Sequence, residues 1–320
     1  MPQRYVVSKF VAVSWADGSV QITSPVARET FTGDAALLHL LSTFAVPRTI
    51  EDAEATVIRK WIDAAILVDA DVPEPAALHH WDPAALGLHA SSRDKTFRKT
   101  PGHTTPAVAP RRFETTIPLA PASEGTAGCD LAALLGARRS RRAWASTPIP
   151  FQAFSDLFWL SARNRDDARG SVSRPYPSGG AAYSLELYPV LAIDAVETLS
   201  CGVYRYLPEA HALELISPFD VDARPFLAGA GSAAGTAPPP VAIVITSRYA
   251  RQSEEYNRLA YSLVLKEVGA LFQTLYLAAE SLGLAACALG GGMPAGLLAS
   301  LCGTTELEEP VVGELMIGAM

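Results

Sequence analysis

The chain has 320 residues, of which 49% are hydrophobic and 18% charged, and its formal net charge is -7. That balance excludes global disorder, provides a sizeable core, and lacks the basic excess that marks a nucleic-acid-binding protein. The length suits two domains better than one.

Cys129, Cys201, Cys287 and Cys302 lie far apart without a CxxC pair. This argues against a zinc ribbon and for reduced thiols in the cytoplasm. No signal peptide and no run of about 18 apolar residues is expected, hence no membrane span.

Residues 5–24 read as a β-hairpin turning at Asp17-Gly18. A helix follows over Ala35–Leu41. Thr49 and Asp52 have capping-box spacing before a second helix carrying Val57, Ile58, Trp61 and Ile62. Ile66–Val68 reads as a strand. Together residues 1–95 suggest a small winged-helix-like domain without a basic recognition helix, fit for peptide docking or a purely structural role. Pro101, Pro106, Pro110, Pro118 and Pro121 mark residues 96–127 as an extended linker.

Residues 128–320 alternate between helical and strand patterns, as in a mixed sheet flanked by helices, an α+β fold. Helices are expected at Leu131–Leu135 and Phe151–Ala162, and strands at Leu187–Ile193 and Val241–Thr246. Gly229–Pro240 reads as a flexible surface loop or a lid. Leu263, Ala270, Leu271, Thr274, Leu275, Ala278 and Leu282 form the stripe of a long helix ending at Gly283.

Three segments carry candidate chemistry. Arg138, Arg139, Ser140 and Arg142 supply guanidinium forks and a hydroxyl suited to a phosphate. Arg139 and Arg141 are further cations for the same ligand. Pro177, Ser178, Gly179 and Gly180 combine a stiffened backbone with glycines that permit close approach to a planar ligand. Leu289, Gly290 and Gly291 close an apolar strand beside the same kind of ligand. This is neither GxGxxG opening a helix nor a Walker A loop. His79, His80 and His89 lack the companions of a metal site, so no metal is expected. Cys287 reads as a small packed residue.

The order and spacing of these segments resemble the SagB/McbC-type FMN-dependent dehydrogenases, a branch of the nitroreductase-like flavoproteins. The resemblance rests on Arg138, Ser140 and Arg142, on Pro177 through Tyr188, and on Gly202–Tyr206 with His211-Ala212-Leu213, and it covers about 130–318. It implies a nitroreductase-like FMN-binding fold and a homodimer with FMN at the interface. It also implies oxidation of thiazoline or oxazoline rings in a peptide or carrier-bound substrate, with electrons passing through FMN to oxygen, alongside biosynthetic partner enzymes.

The family's Lys-Tyr base pair is matched by Glu255-Tyr256, a glutamate standing for lysine. Lys266 is too distant to substitute, and Arg251 and Arg258 are other sources of charge. The family's basic C-terminal residue has no counterpart in Glu314–Met320. Two alternatives stay open: a reductase or desaturase of another substrate, and a flavin-free docking scaffold.

Overall fold

The computed structural model describes residues 3–50, 55–92, 113–123, 130–166 and 172–320. The chain forms two compact units, Met1–Phe97 and Arg98–Met320.

In the first unit, β1 (Tyr5–Val7) pairs with β5 (Leu67–Asp69), while β2 (Ala12–Ala16), β3 (Ser19–Ser24) and β4 (Glu29–Gly33) form a three-stranded antiparallel sheet. The hairpin turn falls at Asp17-Gly18, both left-handed (φ 50 and 76), which suits the primed turns that match strand twist. The expected hairpin over 5–24 is thus shorter. Its first segment leaves to pair with β5, a partner too remote in sequence for local pattern to identify. The helices are α1 (Ala35–Ser42), α2 (Ala55–Asp63) and α3 (Pro83–Ser91). Asp34 caps α1 by accepting from the Ala36 N–H. The Asp52 of the proposed capping box lies outside the described residues.

Ile58 and Trp61 are fully buried against Ile22, Phe44 and Ile66. Truncation of Trp61 to alanine is expected to cost roughly 3–5 kcal/mol, by lost burial plus the cavity left behind. Urea unfolding of the full chain reads this as an early loss of helical circular dichroism. An unchanged profile would show that Trp61 is not the keystone of that core.

The second unit is built on a seven-stranded sheet. Its strands are β6 (Thr116–Pro118), β9 (Leu185–Leu191), β10 (Gly202–Leu207), β11 (Ala212–Ser217), β12 (Val241–Ser247), β13 (Leu284–Leu289) and β14 (Val311–Ala319), in the order β13-β14-β12-β9-β10-β11-β6. Every neighbouring pair is antiparallel, so the sheet is flanked by helices as expected but is not mixed in strand direction. A two-residue pair, β7 (Arg165–Asp166) and β8 (Val172–Ser173), stands apart.

Strand alternation divides the core into two layers. Leu185, Leu187, Ile243, Ile245, Leu315 and Ile317 face α5 (Phe151–Ser161) and α8 (Ala260–Ser281). Tyr188, Val190, Ala242, Val244, Cys287 and Met316 face α6 (Asp220–Ala234) and α9 (Ala295–Cys302). Cys287 is fully buried there, a packed residue.

The segment expected as a flexible loop, Gly229–Pro240, is helical as far as Ala234 and ends on Gly235 (φ 67). Gly229 is required by packing: a Cβ there would lie 2.5 Å from the Gly292 carbonyl oxygen. Its glycines therefore mark close approach of a helix to a turn, not mobility.

Pro189 sits inside β9, where a missing N–H is normally excluded from a central strand. On one side β9 keeps its full ladder with β12. On the other it pairs with β10 only at Leu191 and Val190. Beyond Pro189 the two strands separate in hydrogen bonding, and β10 continues with β11 alone.

Candidate functional site

Helix α8 is the rail on which the sequence-predicted segments meet. Near its C-terminal end, α4 (Leu131–Ala137) stops at Arg138, and the chain continues as an extended segment along β13. The Arg141 N–H donates to the Ala286 carbonyl (2.8 Å) and the Ala145 N–H to the Ala319 carbonyl (2.9 Å). Ser140 Oγ lies 2.9 Å from Tyr276 Oη, which also accepts the Ala288 N–H at 2.7 Å. The Arg138 guanidinium stands 5.2 Å from the centre of the Tyr276 ring. Tyr276 thereby ties the arginine segment to the strand that leads into Leu289, Gly290 and Gly291.

The arginines differ in what they hold. Arg141 donates through one terminal nitrogen to Glu280 (2.7 and 3.0 Å), so that part of the guanidinium expected to supplement a phosphate clamp is held by a carboxylate. No carboxylate among the described residues pairs with Arg138, Arg139 or Arg142. Glu314, on β14, points inward and accepts the Met293 N–H at 3.1 Å.

About nine residues toward the N-terminus of α8, roughly 14 Å along its axis, lies the Pro177–Gly180 segment. Ser178 Oγ accepts the Tyr183 N–H (2.9 Å). Gly180, Ala181 and Tyr183 all take left-handed backbone conformations (φ 60, 55 and 43). Such conformations are costly for residues with a Cβ and persist where the surroundings over-determine them.

A Cβ on Gly180 would lie 2.6 Å from Tyr256 Oη, so the tyrosine at the end of α7 (Tyr249–Tyr256) abuts this loop. Its neighbour Glu255 is exposed. Arg251 turns instead toward Glu186 (3.5 Å) and the Tyr183 carbonyl (3.4 Å), away from the role of charging Tyr256.

Sequence reading missed three residues here. Gln252, wholly buried, donates weakly to the Gly179 carbonyl (3.5 Å), and its Oε1 has no partner among the described residues. Glu267 lies four residues beyond Leu263 on the buried face of α8, and its Oε1 also lacks a partner. Tyr276 is the third. Only Glu267 left a signal, a carboxylate interrupting the apolar stripe between Leu263 and Leu271.

Burial pushes the Glu267 carboxyl up to about 6, against the Ser178 hydroxyl and the Arg174 charge, which favour its ionised form. The folded value exceeds the ordinary 4.5, so the stabilising contribution is present in acid and is lost as pH rises through about 6. Across that window the parent chain is expected to lose roughly 2 kcal/mol relative to a Glu267→Gln variant. Urea midpoints measured on either side of the window check this; parallel pH profiles would contradict it.

The histidine of the predicted hairpin is structural. His211 (φ 46) sits at the β10–β11 turn, with Nδ1 2.9 Å from Tyr206 Oη and Nε2 3.0 Å from Ser155 Oγ.

A helix rail carrying a cationic segment at one end and a glycine-lined, tyrosine-flanked loop at the other offers groups suited to an elongated, planar, anionic cofactor. The nitroreductase family model matches residues 135–319, more than half the chain, and the protein belongs to that family of flavin-dependent oxidoreductases.

The chain is 33% identical over 153 residues to a nitroreductase-family protein of Methanocaldococcus jannaschii, covering 48% of this chain and 74% of that one. It is 32% identical over 117 residues to the microcin B17-processing protein McbC of Escherichia coli, covering 36% of this chain and 43% of that one. Among solved structures, a nitroreductase-family protein of Ralstonia eutropha aligns with a TM-score of 0.52 and 25% identity, over 66% of this chain and 94% of that one. No helix among the described residues is long and apolar enough to cross a membrane.

The family cofactor, FMN, fits the residues present. Arg138, Ser140 and Arg142 offer phosphate donors without a competing carboxylate among the described residues. A Cβ built on Gly290 or Gly291 meets nothing within 4 Å, whereas one on Gly292 would meet α6 at Ala233 (2.9 Å). The buried, unpartnered oxygens of Gln252 and Glu267 lie beside the Pro177–Gly180 segment.

Proposed function

We propose that this protein is an FMN-dependent dehydrogenase that oxidises thiazoline or oxazoline rings of a peptide-borne precursor to thiazole or oxazole, with oxygen as the final acceptor. The observation carrying this reading is Tyr256 Oη abutting Gly180 in a chain 32% identical over its matched region to McbC, a microcin-processing protein.

FMN, when bound, supplies the acceptor for a hydride leaving one ring carbon. The protein must hold the cofactor and remove a proton from the neighbouring carbon. Arg138, Arg139, Ser140 and Arg142 hold the phosphate. Pro177, Ser178, Gly179, Gly180, Leu289, Gly290 and Gly291 border the ring. Tyr256, as its phenolate, takes the proton, with Glu255 beside it. Two chains pair so that each completes the other's site, and the protein works in the cytoplasm with partner enzymes of peptide biosynthesis. Residues 1–95 dock the peptide and are joined by a linker at 96–127 to the 128–320 catalytic domain.

The visible spectrum of the purified protein, with the released cofactor identified by mass, is the first test. FMN at about one per chain, reduced in a single turnover by an azoline peptide, supports the reading. A colourless protein that takes up no added FMN and still binds a leader peptide overturns it in favour of a docking scaffold.

Glu255, in place of the azoline oxidases' lysine, favours a second reading: a reductase or desaturase of another substrate. Reduction of the flavin by NADH or NADPH, and not by any azoline peptide, selects that reading.

A further inference from the structure

Among the described residues β13 is an outer strand of its sheet, so alternate backbone groups along it face away from β14. On that open edge the Arg141 N–H donates to the Ala286 carbonyl, and the Ala288 N–H donates to a side chain, Tyr276 Oη, at 2.7 Å. Tyr276 reaches the edge from α8. Its hydroxyl also meets Ser140 Oγ at 2.9 Å, and its ring face carries the Arg138 guanidinium at 5.2 Å. Tyr276 is half-buried and Ser140 exposed. One side chain therefore joins a strand N–H to two members of the cationic segment.

The protons along this chain have a definite order once an anion arrives. A backbone N–H can only donate, so Tyr276 Oη accepts at Ala288. Tyr276 and Ser140 each carry one hydroxyl proton. A phosphate is an acceptor with strong oxygens. A phosphate at Ser140 draws the serine proton to itself, so Ser140 Oγ must accept from Tyr276. The order is then Ala288 N–H to Tyr276 O–H to Ser140 O–H to phosphate. Each hydroxyl is polarised by the donor behind it, which strengthens the last bond of the chain. Without the Tyr276 hydroxyl, the Ser140 rotor loses the partner that aims it.

We infer that Tyr276 is a positioning residue of the flavin phosphate site: its hydroxyl, backed by the Ala288 N–H, aims the Ser140 proton at the phosphate and so adds to the preference for FMN over riboflavin. The inference rests on the reading that places the phosphate at Arg138, Ser140 and Arg142. Tyr276 acts through Ser140. Its hold on Arg138 is through the ring face, which a phenylalanine keeps, so the two roles are separable. A tyrosine that only closed the sheet edge would affect stability without distinguishing the two flavins.

The test is fluorescence titration of the full chain, stripped of flavin, with FMN and separately with riboflavin, the same ring system without a phosphate. The parent, Tyr276→Phe, Ser140→Ala and the double variant are compared, each with a thermal melt. The parent should prefer FMN. Tyr276→Phe should bind FMN roughly tenfold more weakly, the scale of one hydrogen bond to a charged group, and riboflavin within about twofold of the parent. Its Tm should fall, because the Ala288 N–H loses its acceptor. Added to Ser140→Ala, the same change should weaken FMN by less than about threefold further, since groups in one hydrogen-bonded unit are not additive. Equal losses for both flavins in Tyr276→Phe, or losses that multiply in the double variant, overturn the inference. Should Tyr276→Phe not fold, Ser140→Ala still decides: a preference for FMN as strong as the parent's overturns it. A parent chain that binds neither flavin, or both equally, overturns the placement of the phosphate itself.

Discussion

Replacing Arg138 and Ser140 together by alanine is expected to weaken FMN binding by about two orders of magnitude or more while leaving the fold intact. Hydrogen bonds to a charged group contribute roughly 1.5–3 kcal/mol each, and every 1.4 kcal/mol is a factor of ten. Arg138 and Ser140 are both held by Tyr276, through its ring face and its hydroxyl. Neither takes part in a buried ion pair among the described residues, so their loss falls on the ligand and not on the core. Arg141→Ala is the internal contrast. It breaks the pair with Glu280 and should lower stability with a much smaller change in affinity. Fluorescence titration of the apoprotein with FMN, beside thermal melts of each variant, separates the two effects. Equal affinity loss in both variants would mean that the phosphate does not sit at Arg138 and Ser140.

What the sequence made legible follows from the range of the interactions involved. Asp17-Gly18 announces its own turn because a two-residue left-handed turn is local chemistry. The α8 stripe is equally local, and Gly283 (φ 68) follows its last turn as a left-handed residue should. The turn at Pro177–Gly180 is likewise plain from its proline and glycines, with Gly180 left-handed (φ 60). Its neighbours were not. Gln252 lies on a short, mostly polar helix with no apolar stripe to violate. Tyr276 takes its place through Ser140 and the Ala288 N–H, 136 and 12 residues away, and through the Arg138 guanidinium over its ring. Long-range pairings such as β1 with β5, and β6 with β11, are equally invisible to periodicity. Pro189 is the instructive intermediate. A proline in an apolar run is visible at once, but which ladder it breaks is a matter of register.

The conformation of Gly180 yields the second large effect. Gly180→Ala puts a Cβ on a residue at φ 60, a strain of roughly 1–2 kcal/mol, and aims it 2.6 Å from Tyr256 Oη. Something must shift. Ala181 and Tyr183 are already left-handed, so the loop has little freedom to relax, and the displacement should fall on Tyr256. The expected outcome is a loss of about 1–2 kcal/mol in urea unfolding, together with a fall in turnover of about a hundredfold or more, since misplacing a reacting group by an ångström is enough for such a loss. Tyr256→Phe distinguishes position from chemistry. It keeps the ring against Gly180, so flavin affinity should hold while turnover falls, because the proton acceptor is gone. A Gly180→Ala enzyme that turns over normally while Tyr256→Phe is inactive would show that the loop tolerates the displacement. An active Tyr256→Phe enzyme would move the proton-accepting role to another group, with Glu255 and the buried Glu267 the next to be replaced.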